Sequence, residues 1–176
     1  MYWLLAILLI LVIYFIFFVS QFFNIFFKGY APFISTDRQT IRKMLADIKL
    51  PSLPLIYELG CGRARFLKMA EKEFSAASLI GVENLFSLYL INKIKFRLLG
   101  SRIKLLKKDF FEFNLENADL IYCYLNNATM AKLGEKFRHE CRVGTQIISR
   151  SFPIPQFRPE KTLLIKNKKI YFYRIS

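Results

Sequence analysis

"IYELGCGRARFL", residues 56 to 67, begins as an apolar strand, passes an acid and two glycines one residue apart, and closes as the start of a helix. A turn kept bare at Gly60 and Gly62 lets a ligand approach the backbone. Outward from this stretch, strand and helix patterns alternate. "ASLIGVE" reads as a second strand, and "NLFSLYLINKIKFRLLG" as a helix with Asn84 as N-cap and Gly100 just past its end. "RIKLLKKD" and "ADLIYCYL" are further strands, and "NATMAKLGEKFRHEC" is a helix with Met130, Leu133 and Phe137 on one side. "TQIISRSF" is a fifth strand, and beyond a proline-rich loop "KTLLIKNKKIYFYRIS" gives two strands meeting near Asn167. This alternation, followed by a strand pair, predicts an α/β fold with a doubly wound sheet and an antiparallel edge.

Upstream, "STDRQTIRKMLADIK" predicts an amphipathic helix, with Thr36 and Gln39 as a capping box and Ile41, Met44, Leu45 and Ile48 on one face. Residues 1 to 19 are apolar apart from the tips of Tyr2, Trp3 and Tyr14, and the first charged residue is Lys28. Nineteen helical residues reach about 28 Å, the hydrocarbon thickness of a bilayer. With no basic start or small-residue cleavage site, the stretch reads as a retained anchor rather than a signal peptide. The expected organisation is an anchor at 1–27, a linker at 28–34 and one soluble domain at 35–176. Lys28, Arg38, Arg42 and Lys43 follow the span and no base precedes it, so the domain is expected on the cytoplasmic side. Without an Arg-rich presequence, a prokaryotic plasma membrane is expected over a mitochondrial inner membrane.

The net charge of +14 lies wholly beyond the apolar stretch and favours an anionic partner. For an anchored domain the lipid surface is the simpler one, with nucleic acid or a merely solvated basic surface as alternatives. Cys61, Cys123 and Cys141 are far apart and in no CxxC pair, which suggests neither disulfides nor a zinc site. No metal is expected. His139, the only histidine, falls on a polar helix surface without a nucleophile motif.

In a doubly wound sheet the ligand lies beyond the strand ends where strand order reverses, which is where Gly60 and Gly62 belong. A dinucleotide turn wants a third glycine, but Arg65 stands in its place. Glu58, two residues before the first glycine, suits a cofactor with an ammonium group and no phosphate. The E-x-G-x-G run resembles that of the class I S-adenosylmethionine-dependent methyltransferases. Glu83 closes the second strand, where a carboxylate can accept both ribose hydroxyls. Asp109 closes the third, where it can accept from the adenine amine while Phe110 packs on the ring. The expected cofactor is S-adenosyl-L-methionine.

More of the chain resembles one branch of that class, the membrane-anchored lysine methyltransferases of the ATP synthase c subunit and the adenine nucleotide carrier. "APFISTDRQTIRKML" is similar to that family's lead-in, "ELGCGRARF" to its glycine loop and "KKDFFEFN" to its "KDLW" segment. "SRSFPIPQFRP" is similar to its "RFPLPxWxP" segment and "KIYFYRI" to its closing strand. Ala64 stands where the family has its third glycine, and Phe110–Phe111 replaces Leu-Trp. "YLNNATMAKL" resembles instead a segment of the histone lysine methyltransferases that lack a SET domain. The resemblance implies a Rossmann-like, seven-stranded class I methyltransferase sheet preceded by one transmembrane helix, and protein-lysine N-methylation of a small integral membrane protein at the membrane surface. It also implies a cofactor set of Thr36, Glu58, Gly60, Cys61, Gly62, Glu83, Asn84, Asp109, Phe110 and Leu125. Tyr124, Asn126 and Asn127 are the expected catalytic residues, with Asn126 holding the amine and Asn127 alternatively a helix cap. Phe33, Ser35 and Thr36 could form a lid. No Asn/Asp-Pro-Pro-Tyr/Phe turn of adenine methylation is present, and Cys123 falls inside a strand. RNA methylation is the alternative, and a tethered cofactor-binding module without turnover is a third.

Overall fold

The computed structural model describes residues 2–28 and 35–176, with side chains described except at 21–28. The chain divides into two compact units, Met1–Phe33 and Ile34–Ser176. Helix α1 (Tyr2–Lys28) makes up the first. Its stretch Tyr2–Ser20 has a mean hydropathy of 2.9 and is long and apolar enough to cross a membrane. None of its described side chains is buried. The linker expected at 28–34 lies, beyond Lys28, outside the described residues, and so does Phe33 of the expected lid.

The second unit is a seven-stranded sheet with helices. In chain order come α2 (Arg38–Ala46), β1 (Leu55–Leu59), α3 (Arg65–Glu73), β2 (Ser78–Val82), α4 (Phe86–Leu98), β3 (Lys104–Leu106), β4 (Leu120–Cys123), α5 (Asn127–Glu140), β5 (Gln146–Arg150), β6 (Lys161–Ile165) and β7 (Lys168–Arg174). The strand order is β3-β2-β1-β4-β5-β7-β6. β1 to β5 run parallel, while β7 pairs antiparallel with both β5 and β6. Lys166 and Asn167, both at positive φ, make the tight turn that joins β6 to β7. The chain leaves β1 in one direction across the sheet and β4 in the other, so strand order reverses between them. Right-handed crossovers then put α3 and α4 on one face and α5 on the other.

β1 and β4 are central and, Glu58 apart, read as continuous apolar runs, because both their faces are covered. α2 packs on α3 and buries Ile41, Met44 and Leu45, with Ile48 buried just past its end, the face the sequence spacing predicts. Phe66 of α3 stacks on Tyr122 of β4 at 4.1 Å between centroids, with both rings buried. The Tyr122 hydroxyl shares a 2.6 Å hydrogen bond with Thr36 Oγ1, which ties the segment before α2 to the central strand.

Three helix starts differ from the sequence reading. α2 is capped by Asp37, whose carboxylate accepts from the Thr40 N–H at 3.1 Å and the Thr40 hydroxyl at 2.7 Å. Thr36 is spent on Tyr122, and Asp37 is the residue with a second donor on the side chain three positions on. α4 begins at Phe86 after an extended Leu85 with no side-chain cap, so Asn84 is not the cap. Glu83 Oε1 accepts the Leu85 N–H at 2.9 Å and delays the helix. α5 is capped by Asn126, whose Oδ1 accepts the Thr129 N–H at 2.8 Å, and Asn127 is already its first residue.

Candidate active site

The glycine turn after β1 and the Tyr124–Asn127 segment after β4 flank the point where strand order reverses. Gly60 has φ +65 and Gly62 φ +52, both left-handed. A Cβ built on Gly60 would sit 2.8 Å from Leu125 Cδ2 and 3.9 Å from Phe110 Cε1. The structure therefore brings Gly60, Leu125 and Phe110 together, three of the residues expected around the cofactor. Ala64, buried and at φ +49, occupies a third left-handed position. The left-handed backbone costs about 1–2 kcal/mol for alanine. Its buried methyl recovers roughly 0.8 kcal/mol, and glycine would be about 0.5–1 kcal/mol freer in the unfolded chain, so alanine is tolerated.

Two buried carboxylates organise the turn. Glu58 Oε2 accepts the Leu67 N–H at 3.2 Å, at the start of α3. Burial, which outweighs that hydrogen bond, pushes its carboxyl up to about 8. Glu83 Oε2 accepts the Gly62 N–H at 2.8 Å while Oε1 holds Leu85, and burial again raises its carboxyl. Neither acid makes an ion pair among the described residues. Asp109 lies three residues past the short β3, and its Oδ1 accepts the Phe111 N–H at 2.9 Å. Phe110 and Phe111 meet at 4.8 Å between centroids.

Other expected residues contribute differently. Cys61 turns its thiol to the core, where a Cβ on Gly81 would meet Sγ at 3.0 Å. Its N–H donates to the Val82 carbonyl and its own carbonyl accepts from Ala64, so Cys61 shapes the turn through its backbone. Asn84 is half-buried between Glu83 and the start of α4. The Cys123 thiol is buried and pushed up by that burial, which leaves no thiolate for nucleophilic work. His139 is exposed on α5, and among the described residues no cluster of three or more His, Cys, Asp or Glu could hold a metal.

On the β4 side, Tyr124 is half-buried and held from two directions. Lys168 Nζ donates to its hydroxyl at 2.8 Å, and the Arg150 guanidinium lies 4.6 Å from its ring centroid. Burial raises the phenol, but the Lys168 hydrogen bond and the two positive charges outweigh it and hold it below its ordinary value. Arg150 is buried at 6% exposure; its Nη2 lies 3.9 Å from Asp37 Oδ2, and its Nε and Nη1 have no hydrogen-bond partner among the described residues. Sequence reasoning missed Arg150, which looked like an ordinary strand end. It also missed Asn92, whose buried amide donates to the Gly62 carbonyl from α4. A polar residue spaced four from Leu88 and Phe96 on the buried face of α4 was the available signal.

The model of one protein family matches residues 58–161, the span from Glu58 to the start of β6. The chain belongs to the ANTKMT methyltransferase domain family. It is similar to a protein-lysine N-methyltransferase of Saccharolobus islandicus (strain REY15A), 28% identical over 154 residues that cover 84% of this chain and 95% of that one. The fold is shared with an RNA methyltransferase of Salinibacter ruber solved with S-adenosyl-L-homocysteine, at TM-score 0.74 and 21% identity, covering 81% of this chain and 94% of that one. It is shared also with the B. subtilis tRNA methyltransferase TrmK, at TM-score 0.63 and 15% identity over 82% of this chain and 68% of that one. The ANTKMT-family chain is thus an S-adenosylmethionine-dependent methyltransferase with the Rossmann-like sheet its sequence predicts. Its site fits the cofactor. Two buried carboxylates with no ion pair among the described residues suit a cofactor that brings an ammonium group and ribose hydroxyls, and Gly60, with no side chain, lets Leu125 and Phe110 close in on the turn.

Proposed function

We propose that this enzyme N-methylates a lysine of a small integral membrane protein, at the boundary between membrane and water. The observation that carries the reading is the composition of the β4 end. Tyr124 is flanked by the Arg150 and Lys168 cations, with two asparagines following and no proline-paired turn of the adenine type. Similarity to a protein-lysine N-methyltransferase over most of the chain supports the same acceptor.

Bound S-adenosylmethionine would supply an electrophilic sulfonium methyl for in-line attack by a neutral amine, with S-adenosylhomocysteine as the leaving group. Glu58, Glu83 and Asp109 would hold its charged and polar groups, with Gly60, Phe110 and Leu125 as the surrounding walls. The chain's part towards the acceptor is to deliver a neutral amine in the right line, and such positioning supplies most of the rate. Cationic neighbours and partial burial both disfavour an ammonium, so Arg150 and Lys168 beside Tyr124 lower the acceptor's pKa. The Asn126 amide would hold the amine from the start of α5. Asp119, which accepts the Leu55 N–H at 2.8 Å and pairs with Arg142, is committed at the other end of β4. A dedicated carboxylate base is therefore not part of this mechanism.

α1 would anchor the chain and the segment from 35 onward would form the cytoplasmic methyltransferase domain, facing the anionic leaflet of a prokaryotic plasma membrane. Methyl transfer from tritiated cofactor to isolated membranes tests the reading. Label should run with a small membrane protein and survive ribonuclease; label lost to ribonuclease would mean an RNA acceptor.

A further inference from the structure

α4 buries Leu88, Asn92 and Phe96 at four-residue spacing, against the sheet and the glycine turn. Its opposite face is mostly apolar and in water. Phe86 is 57% exposed, Leu90 41%, Ile91 56%, Ile94 53% and Leu98 81%. At 100° per residue these five form one stripe, with Ser87 and the exposed Arg97 inside its arc and the exposed Lys93 and Lys95 on its two margins. A soluble helix would carry its polar residues there.

Beside the stripe, α2, α3 and α4 enclose an open cleft of about 1030 Å³. It is lined by Arg38 and Arg42 of α2, by Arg65, Lys68 and Lys72 of α3, and by Lys95 of α4. Against these stand Glu73 and Asp37, and Asp37 is already taken by Thr40 and Lys166. Apolar side chains on one face with a basic border and a basic cleft alongside describe an interfacial surface. Nucleic acid would use the cleft but leaves the stripe in water. A second copy would cover the stripe but sets two like-charged clefts side by side.

We infer that the outer face of α4 and the adjoining α2–α3 cleft form a bilayer-docking surface. The stripe enters the headgroup–acyl boundary, and the cleft meets anionic headgroups. The inference rests on the anchored reading of α1 and adds a second contact, made by the catalytic domain itself. Asn92 joins this helix to the Gly62 carbonyl, so the docked face is tied by a hydrogen bond to the cofactor turn.

The test uses the full chain, reconstituted into phosphatidylcholine vesicles with or without phosphatidylglycerol. A nitroxide is placed at Ile94→Cys and, as control, at Arg138→Cys on α5; the native cysteines are all buried. In anionic vesicles the ratio of oxygen to nickel-chelate collisions should be several-fold higher at 94 than at 138. Lys72→Glu with Lys95→Glu should bring the ratio at 94 down to its value in neutral vesicles. A label at 94 in water, or shielded from both reagents by protein, overturns the inference with the anchor intact. So does a charge-reversed variant with unchanged depth, and loss of binding to a single-stranded RNA in that variant would assign the cleft to nucleic acid. A chain that floats free of vesicles overturns the anchored reading itself, and this inference with it.

Discussion

Glu58 carries its carboxyl at about 8 because burial disfavours the charge, and that has two consequences of opposite sense. Without cofactor, the folded protein holds a proton that the unfolded chain releases near its ordinary value of 4.5. Stability from this group is present below that value and is lost as pH rises towards 8. Glu58→Gln should therefore give a shallower fall in apo-protein Tm across that window, read by scanning calorimetry. Binding of a cationic cofactor needs the ionised form, so affinity should fall as pH drops below about 8 in the wild type. Calorimetric titrations over the same range check it. Glu83→Ala should weaken cofactor binding by roughly 1.5–3 kcal/mol, as for the loss of a charge-assisted partner. It also frees the Gly62 N–H of the glycine turn, so the loss should exceed that of Asp109→Ala, whose carboxylate among the described residues accepts from the Phe111 N–H of its own loop. Gly60→Val should abolish binding, since a side chain at φ +65 is strained and its Cβ meets Leu125.

At the level of elements, the glycine turn, the strand alternation and the buried face of α2 were legible from sequence because each rests on local pattern. Helix caps were not. "STD" offers three capping residues in a row, and the choice of Asp37 depended on Thr36 having a partner 86 positions away in Tyr122. Likewise "NN" offered Asn127 as the alternative cap, and the placed end of β4 gives the cap to Asn126 instead. Arg150 was illegible for the same reason, since its neighbour Tyr124 comes from another strand. The cap on α5 sharpens the test of Asn126. Asn126→Ala should lose about 1 kcal/mol of stability from the cap alone. Asn126→Ser keeps a capping oxygen but no amide, so its Tm should stay near wild type. If Asn126 holds the acceptor, the Ser variant should still lose ten-fold in turnover, on the order of 1.4 kcal/mol. Turnover restored by serine would make the residue a cap only.

For the whole molecule, the sequence's two most visible features are the apolar N-terminus and the charge of +14, and both bear on place rather than chemistry. α1 is long and apolar enough to cross a bilayer, so the full chain should resist carbonate extraction. A version lacking α1 should be soluble and still bind cofactor, because the buried core runs from Ile41 to Phe172. The family fixes the reaction type, and the β4 end with its aromatic and cations argues for an amine acceptor. The most direct test is quantitative mass spectrometry of membranes from cells with the gene, without it, and with it carrying Gly60→Val. Lysine methylation on a small integral membrane protein should be present in the first and absent from the other two. Identical lysine methylation in all three, with a methyl mark lost from RNA, would contradict the account.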